Sequence, residues 1–255
     1  MRNCPSGHDI WDAFGDRFDA NGMSKLDLTR DEQAPPPIPA ATVVLLRDTN
    51  AGPETLLLRK SAKINFGGLW VFPGGRIDPD DHDESGDELA AARTAAAREA
   101  AEEAGLTLDA KDFVWMSHWM PPPIRARRFS TWFFVARAPE QHDVAVDGGE
   151  IEEHRWIRPG DALIRAARSE IELAPPTWVS LHYLARHDRA AAVLDHFGSR
   201  DPRKYRTHFS DVEGGHVAMW LGDAGYDATD PTVPGARHRL TMIDGRFEFD
   251  DSGAL

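Results

Sequence analysis

Chemistry in this chain concentrates in one short run, Arg98-Glu99-Ala100-Ala101-Glu102-Glu103-Ala104-Gly105-Leu106. At 3.6 residues per helical turn, Glu99, Glu102 and Glu103 stand at i, i+3 and i+4, so three carboxylates leave one stripe of a helix. Like charges so placed repel by a few tenths of a kcal/mol per pair, a cost that a bound cation would relieve. Oxygen donors with no His or Cys beside them suit a hard ion, Mg²⁺ or alternatively Mn²⁺. Such an ion takes a few carboxylates and shares its remaining positions with substrate phosphates, which points to phosphoryl chemistry. Glu99 and Glu103, one turn apart, are the first expected metal ligands and Glu102 the third; any of the three could instead act as the base. Arg98, four residues before Glu102, is expected to orient a carboxylate and offset charge, and Gly105 to close the helix. The competing reading of an isolated example is a solvated acidic face.

The elements that must position this stripe can be read around it. Thr42-Val43-Val44-Leu45-Leu46 reads as a buried strand, with Glu54 to Arg59 as its partner across Asn50-Ala51-Gly52-Pro53. Trp70-Val71-Phe72 is a third apolar run, stopped by Pro73-Gly74-Gly75, and an acidic loop from Asp78 to Asp87 leads to a helix from about Glu88 to Gly105. Ala90, Ala97, Ala101 and Ala104 are expected to let that helix lie close to a sheet. Gly74 and Gly75 would let backbone approach a phosphate or metal, although a tight turn would also explain them. Further strands are expected at Phe113 to Met116, Phe129 to Ala136 and His154 to Ile157, and helices at Asp161 to Arg168 and Trp178 to His187. Asp244-Gly245 marks a hairpin between His238–Ile243 and Arg246–Phe249.

Composition narrows the partners. Lys+Arg 29 against Asp+Glu 42 leaves a net charge of -13, which argues against a surface holding nucleic acid by general electrostatics. A single cysteine, Cys4, cannot form an internal disulfide, and no apolar run is long enough to span a membrane, so a cytoplasmic protein with no membrane partner is expected. Residues 1–40 lack a sustained period and end in Ala34-Pro35-Pro36-Pro37-Ile38-Pro39, so they read as a flexible leader. Met23 would also serve as a beginning, which makes residues 1–22 a candidate upstream extension. The expected domains are this leader, a catalytic domain over 41–200, and a β-rich extension over 201–255 packed on the same domain. That extension is expected either to cover the substrate cleft or to form a homodimer interface.

With the preceding glycine, the charged helix resembles the signature of the Nudix hydrolase superfamily: a glycine, a glutamate, then R-E-U-x-E-E-x-G-U with U apolar. Gly75, Arg98, Glu99, Ala100, Glu102, Glu103, Gly105 and Leu106 carry the match. The resemblance implies an α/β fold, an α/β/α sandwich with a mixed central sheet, and Mg²⁺-dependent hydrolysis of a small-molecule diphosphate linked to another moiety. Gly75 and Arg98 are 23 positions apart (98 − 75), nine more than in the signature, and Ala90 stands where its first glutamate would be. Asp78, Asp81 and Glu88 are candidates to supply that role from the enlarged loop. The enlargement, with Leu56 to Ser61, Arg128 to Phe134, Glu150 to Trp156 and Leu173 to Pro176, resembles the subgroup that includes peroxisomal coenzyme A diphosphatases, and coenzyme A or an acyl-coenzyme A is the leading substrate expectation.

In this superfamily the general base often lies outside the signature, before a later strand. Glu150 and Glu153 fit that place, and Glu152 is expected to alternate away from it. Arg125, Arg127 and Arg128 form a basic cluster in an acidic protein; Arg128 and Arg59 are the candidates for holding substrate phosphates, with solvated positions as the bland alternative. Trp132, Phe133 and Trp156 are expected in the core. The alternative to an enzyme is a Nudix-fold ligand sensor, disfavoured because the helix glutamates are intact. An isomerase using a catalytic cysteine is disfavoured because Cys4 lies far from the domain.

Overall fold

The longest strand, β1 (Ile38–Thr49), buries seven consecutive residues from Ala40 to Leu46, as a central strand covered on both faces must. The computed structural model describes residues 35–61, 68–122, 128–140, 143–146 and 148–253. Residues 1–34, with Cys4, Met23 and nearly all of the expected leader, lie outside them, as do Arg125 and Arg127; β1 itself starts inside the segment expected to be leader. β1 turns back into β2 (Gly52–Lys60) through a tight hairpin, Thr49 opposite Gly52, at the expected Asn50-Ala51 turn. β2 pairs with β3 (Trp70–Val71) and with β7 (Ile151–Ile157), and β1 pairs with β4 (Gly74–Arg76). β6 (Phe129–Arg137) lies on the other side of β1, followed by β5 (Val114–Met120), giving a mixed sheet.

One face of the sheet carries Ala41, Val43, Leu45, Leu56, Leu58 and Phe134, and α1 (Glu88–Ala104) lies on it. Asp87 caps the helix by accepting the Leu89 N–H at 2.9 Å. Gly105 ends it at φ 68, where its N–H bonds Ala101 O and Leu106 N–H bonds Ala100 O, a closure that costs a residue with a Cβ strain. The face against the sheet is Ala92, Ala95, Ala96, Ala100 and Ala104; of the expected set Ala104 is on it, Ala97 packs half-buried against it, Ala90 is half-buried and Ala101 is exposed. The other sheet face, with Val44, Leu46, Leu57, Phe133 and Val135, is buried too. There α2 (Pro159–Ala167) packs on β2 and on α3 (Pro175–Leu184), while α4 (Ala190–Gly198) packs on β1. The expected α/β sandwich is thus observed. α4 was not foreseen: its Ala-rich run has no capping side chain, and its first N–H groups are satisfied from afar, Ala190 N–H by Asp48 Oδ1 at 2.6 Å.

The described residues divide into two compact units, one within 38–118 and 130–203, the other within 35–37, 119–122, 128–129 and 204–253. The division falls between residues 203 and 204, and the described residues at the end of β5 and the start of β6 go with the second unit. Within it, β9 (His208–Val212), β10 (Gly215–Met219), β11 (Arg239–Ile243) and β12 (Arg246–Asp250) form an antiparallel meander, and β8 (Arg203–Arg206) leads into it. The Asp244-Gly245 turn has positive φ at both residues, the twist-matched hairpin geometry expected. Trp119 stacks on Tyr205 at 3.8 Å between ring centroids, with Trp220 edge-on to both. Asp223 accepts Arg239 Nε at 2.7 Å and Nη2 at 2.6 Å in the interior. Burial pushes the Asp223 carboxyl up, but Arg239 and the backbone N–H groups of His238 and Gly225 outweigh it and hold it at about 2.

Removing one partner of such a pair leaves a buried charge. Asp223→Ala is expected to destabilise the protein by about 3 kcal/mol in urea unfolding followed by tryptophan fluorescence; a wild-type unfolding curve would contradict an interior pair.

Candidate active site

The alanine face and the glutamate stripe of α1 are not opposite but adjacent. Because Ala96, Ala100 and Ala104 sit on the sheet, Glu99 and Glu103 fall at the rim of the buried face and are drawn in with it, while Glu102 turns outward with its side chain 59% exposed. Two of the three expected carboxylates therefore converge, and the third does not. Glu103 is almost wholly enclosed; its Oε2 accepts the Gly74 N–H at 2.9 Å and its Oε1 the Lys60 Nζ at 3.4 Å. Glu99 lies against Gly75, where any Cβ would overlap its carboxylate, and a Cβ at Gly74 would run into Ala41 O and Thr42. The glycine pair is thus required by the close approach of protein atoms, Ala41 and Thr42 at Gly74 and the Glu99 carboxylate at Gly75. Thr42 Oγ1 donates to Pro73 O at 2.6 Å and fixes the loop from β1.

Burial sets the electrostatics. Desolvation pushes the Glu103 carboxyl up to about 7, Lys60 and the Gly74 N–H pull it down, and the neighbouring Glu99 pushes it up. Glu99 is raised as well, first by burial, with Arg98 acting against it. Buried Glu103 has Lys60 beside it and half-buried Glu99 has Arg98, yet both carboxyls stay raised. A divalent cation would supply the missing charge, and the donor set, oxygen without sulfur or imidazole, is the kind Mg²⁺ and Mn²⁺ take. Among the described residues no three His, Cys, Asp or Glu side chains are already gathered as a metal site. Water and substrate oxygens would have to complete the shell, as they commonly do for Mg²⁺.

Arg98 holds the arrangement together. Its Nη1 donates to Glu99 Oε1 at 3.0 Å and to Glu102 Oε2 at 3.1 Å, and its Nη2 to Arg76 O at 3.0 Å. Its Nε and Nη2 grip both oxygens of Asp81 at 3.0 and 2.8 Å. Of the three loop candidates, then, Asp81 is engaged; Asp78 is 3.8 Å from Arg98 and half-exposed, and Glu88 is exposed at the helix start.

The remaining expected site residues are placed elsewhere. Leu56 and Leu58 face α1, so by alternation Lys60 does too and the expected Arg59 does not; the sequence pattern contains that signal. Arg59 instead pairs with Glu152 at 3.0 Å and lies 3.7 Å from Glu153. The register shift between Arg59 and Lys60 sets both Glu152 and Glu153 on the Arg59 face and Ile151 on the α1 face. Glu152 turns from the carboxylate pair as expected; Glu153, also bound by Arg155 at 2.9 Å, turns from it too because the bulge breaks the alternation. Glu150 precedes β7, its carbonyl accepting the Ser61 N–H at 2.7 Å. Arg128 is buried and spends its guanidinium on the carbonyls of Pro122 and Pro35, which is a structural clamp in place of the expected phosphate contact. Phe133 is in the core as expected, and Trp132 and Trp156 pack on its α1 side.

A match to the family model for the NUDIX domain spans residues 36–175, more than half of the chain. The chain belongs to the Nudix family. No curated protein matches it. Among solved structures, a Nudix hydrolase from Alicyclobacillus acidocaldarius shares 23% identity at a TM-score of 0.55, covering 62% of this chain and 96% of that one. It has the same fold. The binary complex of a C. elegans Ap4A hydrolase is 22% identical over 63% of this chain and 99% of that one, TM-score 0.43. The NUDIX domain of Shewanella oneidensis NrtR, crystallised with ADP ribose, is 19% identical over 64% and 97%, TM-score 0.43. As a Nudix hydrolase the protein acts on phosphorus-containing anhydrides. Among the described residues no helix is long and apolar enough to cross a membrane.

The raised Glu103 carboxyl has a consequence for stability. Its folded value of about 7 exceeds its ordinary 4.5, so the folded state holds the proton more tightly, and the stabilisation present at low pH is lost as pH rises through 7. Metal-free protein is expected to lose up to roughly 3 kcal/mol between about pH 5 and about pH 8. Glu103→Gln should flatten that loss. Urea unfolding in chelator across the range checks it; equal slopes in both proteins would refute the assignment.

Proposed function

We propose that this Nudix hydrolase uses Mg²⁺, or Mn²⁺ in its place, to cleave the diphosphate bond of a nucleoside-diphosphate-linked small molecule. The observation that carries this is the convergence of half-buried Glu99 and buried Glu103 on the Gly74-Gly75 backbone, both with raised carboxyls. These two would hold the cation, with Glu102 close enough in sequence to reach it only by leaving Arg98. When bound, the cation would neutralise phosphate charge and align a water for in-line attack. Lys60, now beside Glu103, supplies positive charge to the same pocket wall and is favoured over Arg59 and Arg128 for contact with substrate phosphate. Glu150 is favoured over Glu153 as the base candidate, since Glu153 is paired on the opposite face.

Coenzyme A or an acyl-coenzyme A is the leading substrate. Its support is the enlarged loop between Gly75 and Arg98 and the similarity of flanking segments to coenzyme A diphosphatases. Coenzyme A, dinucleotides, nucleotide sugars and oxidised nucleoside triphosphates, each incubated with Mg²⁺ and resolved by product mass, would identify the substrate. Coenzyme A is expected to give two phosphate-bearing products. Glu103→Gln should lower kcat by at least about 100-fold with the fold retained. Binding of a panel member without turnover would instead point to a ligand-binding module.

A further inference from the structure

The guanidinium of Arg98 has five N–H donors, and all five are taken: one by Asp81 Oδ1, one by Asp81 Oδ2, and one each by Arg76 O, Glu99 Oε1 and Glu102 Oε2. A planar group held at every donor has one orientation, so whatever fixes its Nε edge also fixes the Nη1 edge that meets Glu99. That fixing group comes from the enlarged loop. Asp81 closes a short 3₁₀ turn, Pro79–Asp81, and its Oδ2 also accepts the Asp78 N–H at 2.8 Å, which ties its carboxylate to its own backbone. It is 6% exposed, unusual for an aspartate in a loop whose other acids are solvated. Opposed by burial, the Arg98 hydrogen bonds and the Asp78 N–H still hold its carboxyl below the usual range. Asp81 therefore stays ionised and bidentate at neutral pH.

We infer that Asp81 is a positioning residue for the hydrolase site: by gripping the Nε edge of Arg98 it aims the Nη1 edge at Glu99 and so sets the carboxylate pair for the divalent cation. The enlarged loop thus returns an acidic side chain to the helix at Arg98, while Ala90 stands at the signature position of the first glutamate. Charge balance agrees. Asp81 consumes part of the positive charge of Arg98, which leaves Glu99 more attractive to a cation than it would be beside an otherwise unpaired arginine.

The inference rests on the proposed reading of Glu99 and Glu103 as cation ligands, and its test separates the two. Full-length wild-type protein, Asp81→Asn, Asp81→Glu and the exposed-neighbour control Asp80→Asn are titrated with Mn²⁺ alone by electron paramagnetic resonance. They are then assayed with the substrate found in the panel. Asp81→Asn is expected to bind Mn²⁺ about 10- to 100-fold more weakly and to lose kcat by a similar factor with KM nearly unchanged. Asp81→Glu should recover part of both losses, and Asp80→Asn should match wild type. Wild-type Mn²⁺ affinity in folded Asp81→Asn overturns the inference. If Asp81→Asn does not fold, Asp81→Glu decides: a displaced carboxylate should weaken Mn²⁺ binding by at least about threefold, and wild-type affinity overturns the inference. If wild-type protein binds no Mn²⁺, the cation-site reading fails first, and the inference with it.

Discussion

The architecture turns on one constraint, the drawing inward of two carboxylates, Glu103 buried and Glu99 half-buried, at the rim of an alanine-faced helix. Carboxylates leave water only at considerable cost unless they are paired or coordinated. Everything near Glu99 and Glu103 answers that cost. Alanines on α1 bring the helix axis close to the sheet, the Gly74-Gly75 loop has no Cβ to keep the carboxylates away, and the Gly74 N–H and Lys60 Nζ supply two donors to Glu103. What protein groups leave uncompensated is the charge a divalent ion would bring. A site tuned in this way is poised against its own stability, a common condition of functional sites.

Arg98 links that rim to the rest of the fold. It reaches the backbone of β4 through Arg76 O, the enlarged loop through Asp81, and two glutamates on its own helix. Surface ion pairs contribute little, but a half-buried guanidinium with every donor satisfied sets geometry as well as energy. Glu102 turns outward and pairs with Arg98. Of the charge of -13 that opened the question of partners, part is therefore spent inside the active region, on acids that protein cations neutralise incompletely.

The helix was legible because its signals are local: Asp87 before it, Gly105 after it, and glutamates at helical spacing within it. The same holds for the Asn50-Ala51 and Asp244-Gly245 turns. Placement was less legible wherever it depended on partners distant in sequence. Alternation along β2 already put Lys60 with Leu56 and Leu58, but the bulge that carries Glu152 and Glu153 to the Arg59 face exists only in the pairing of β2 with β7. Arg128 looked like a phosphate ligand because its neighbours are basic; its burial against Pro122 and Pro35 is set by packing that no short window contains.

By itself the sequence determined the family, the metal-compatible chemistry and the helix that carries it, because each follows from residue types at fixed short spacing. Tertiary structure alone decided which two of three glutamates turn inward, which face Glu152 and Glu153 take, and that Asp81 closes the enlarged loop on Arg98. Those choices depend on how the helix is rotated against the sheet and on where a loop returns. Both are set by the summed packing of the core, not by any residue's own neighbours in the chain.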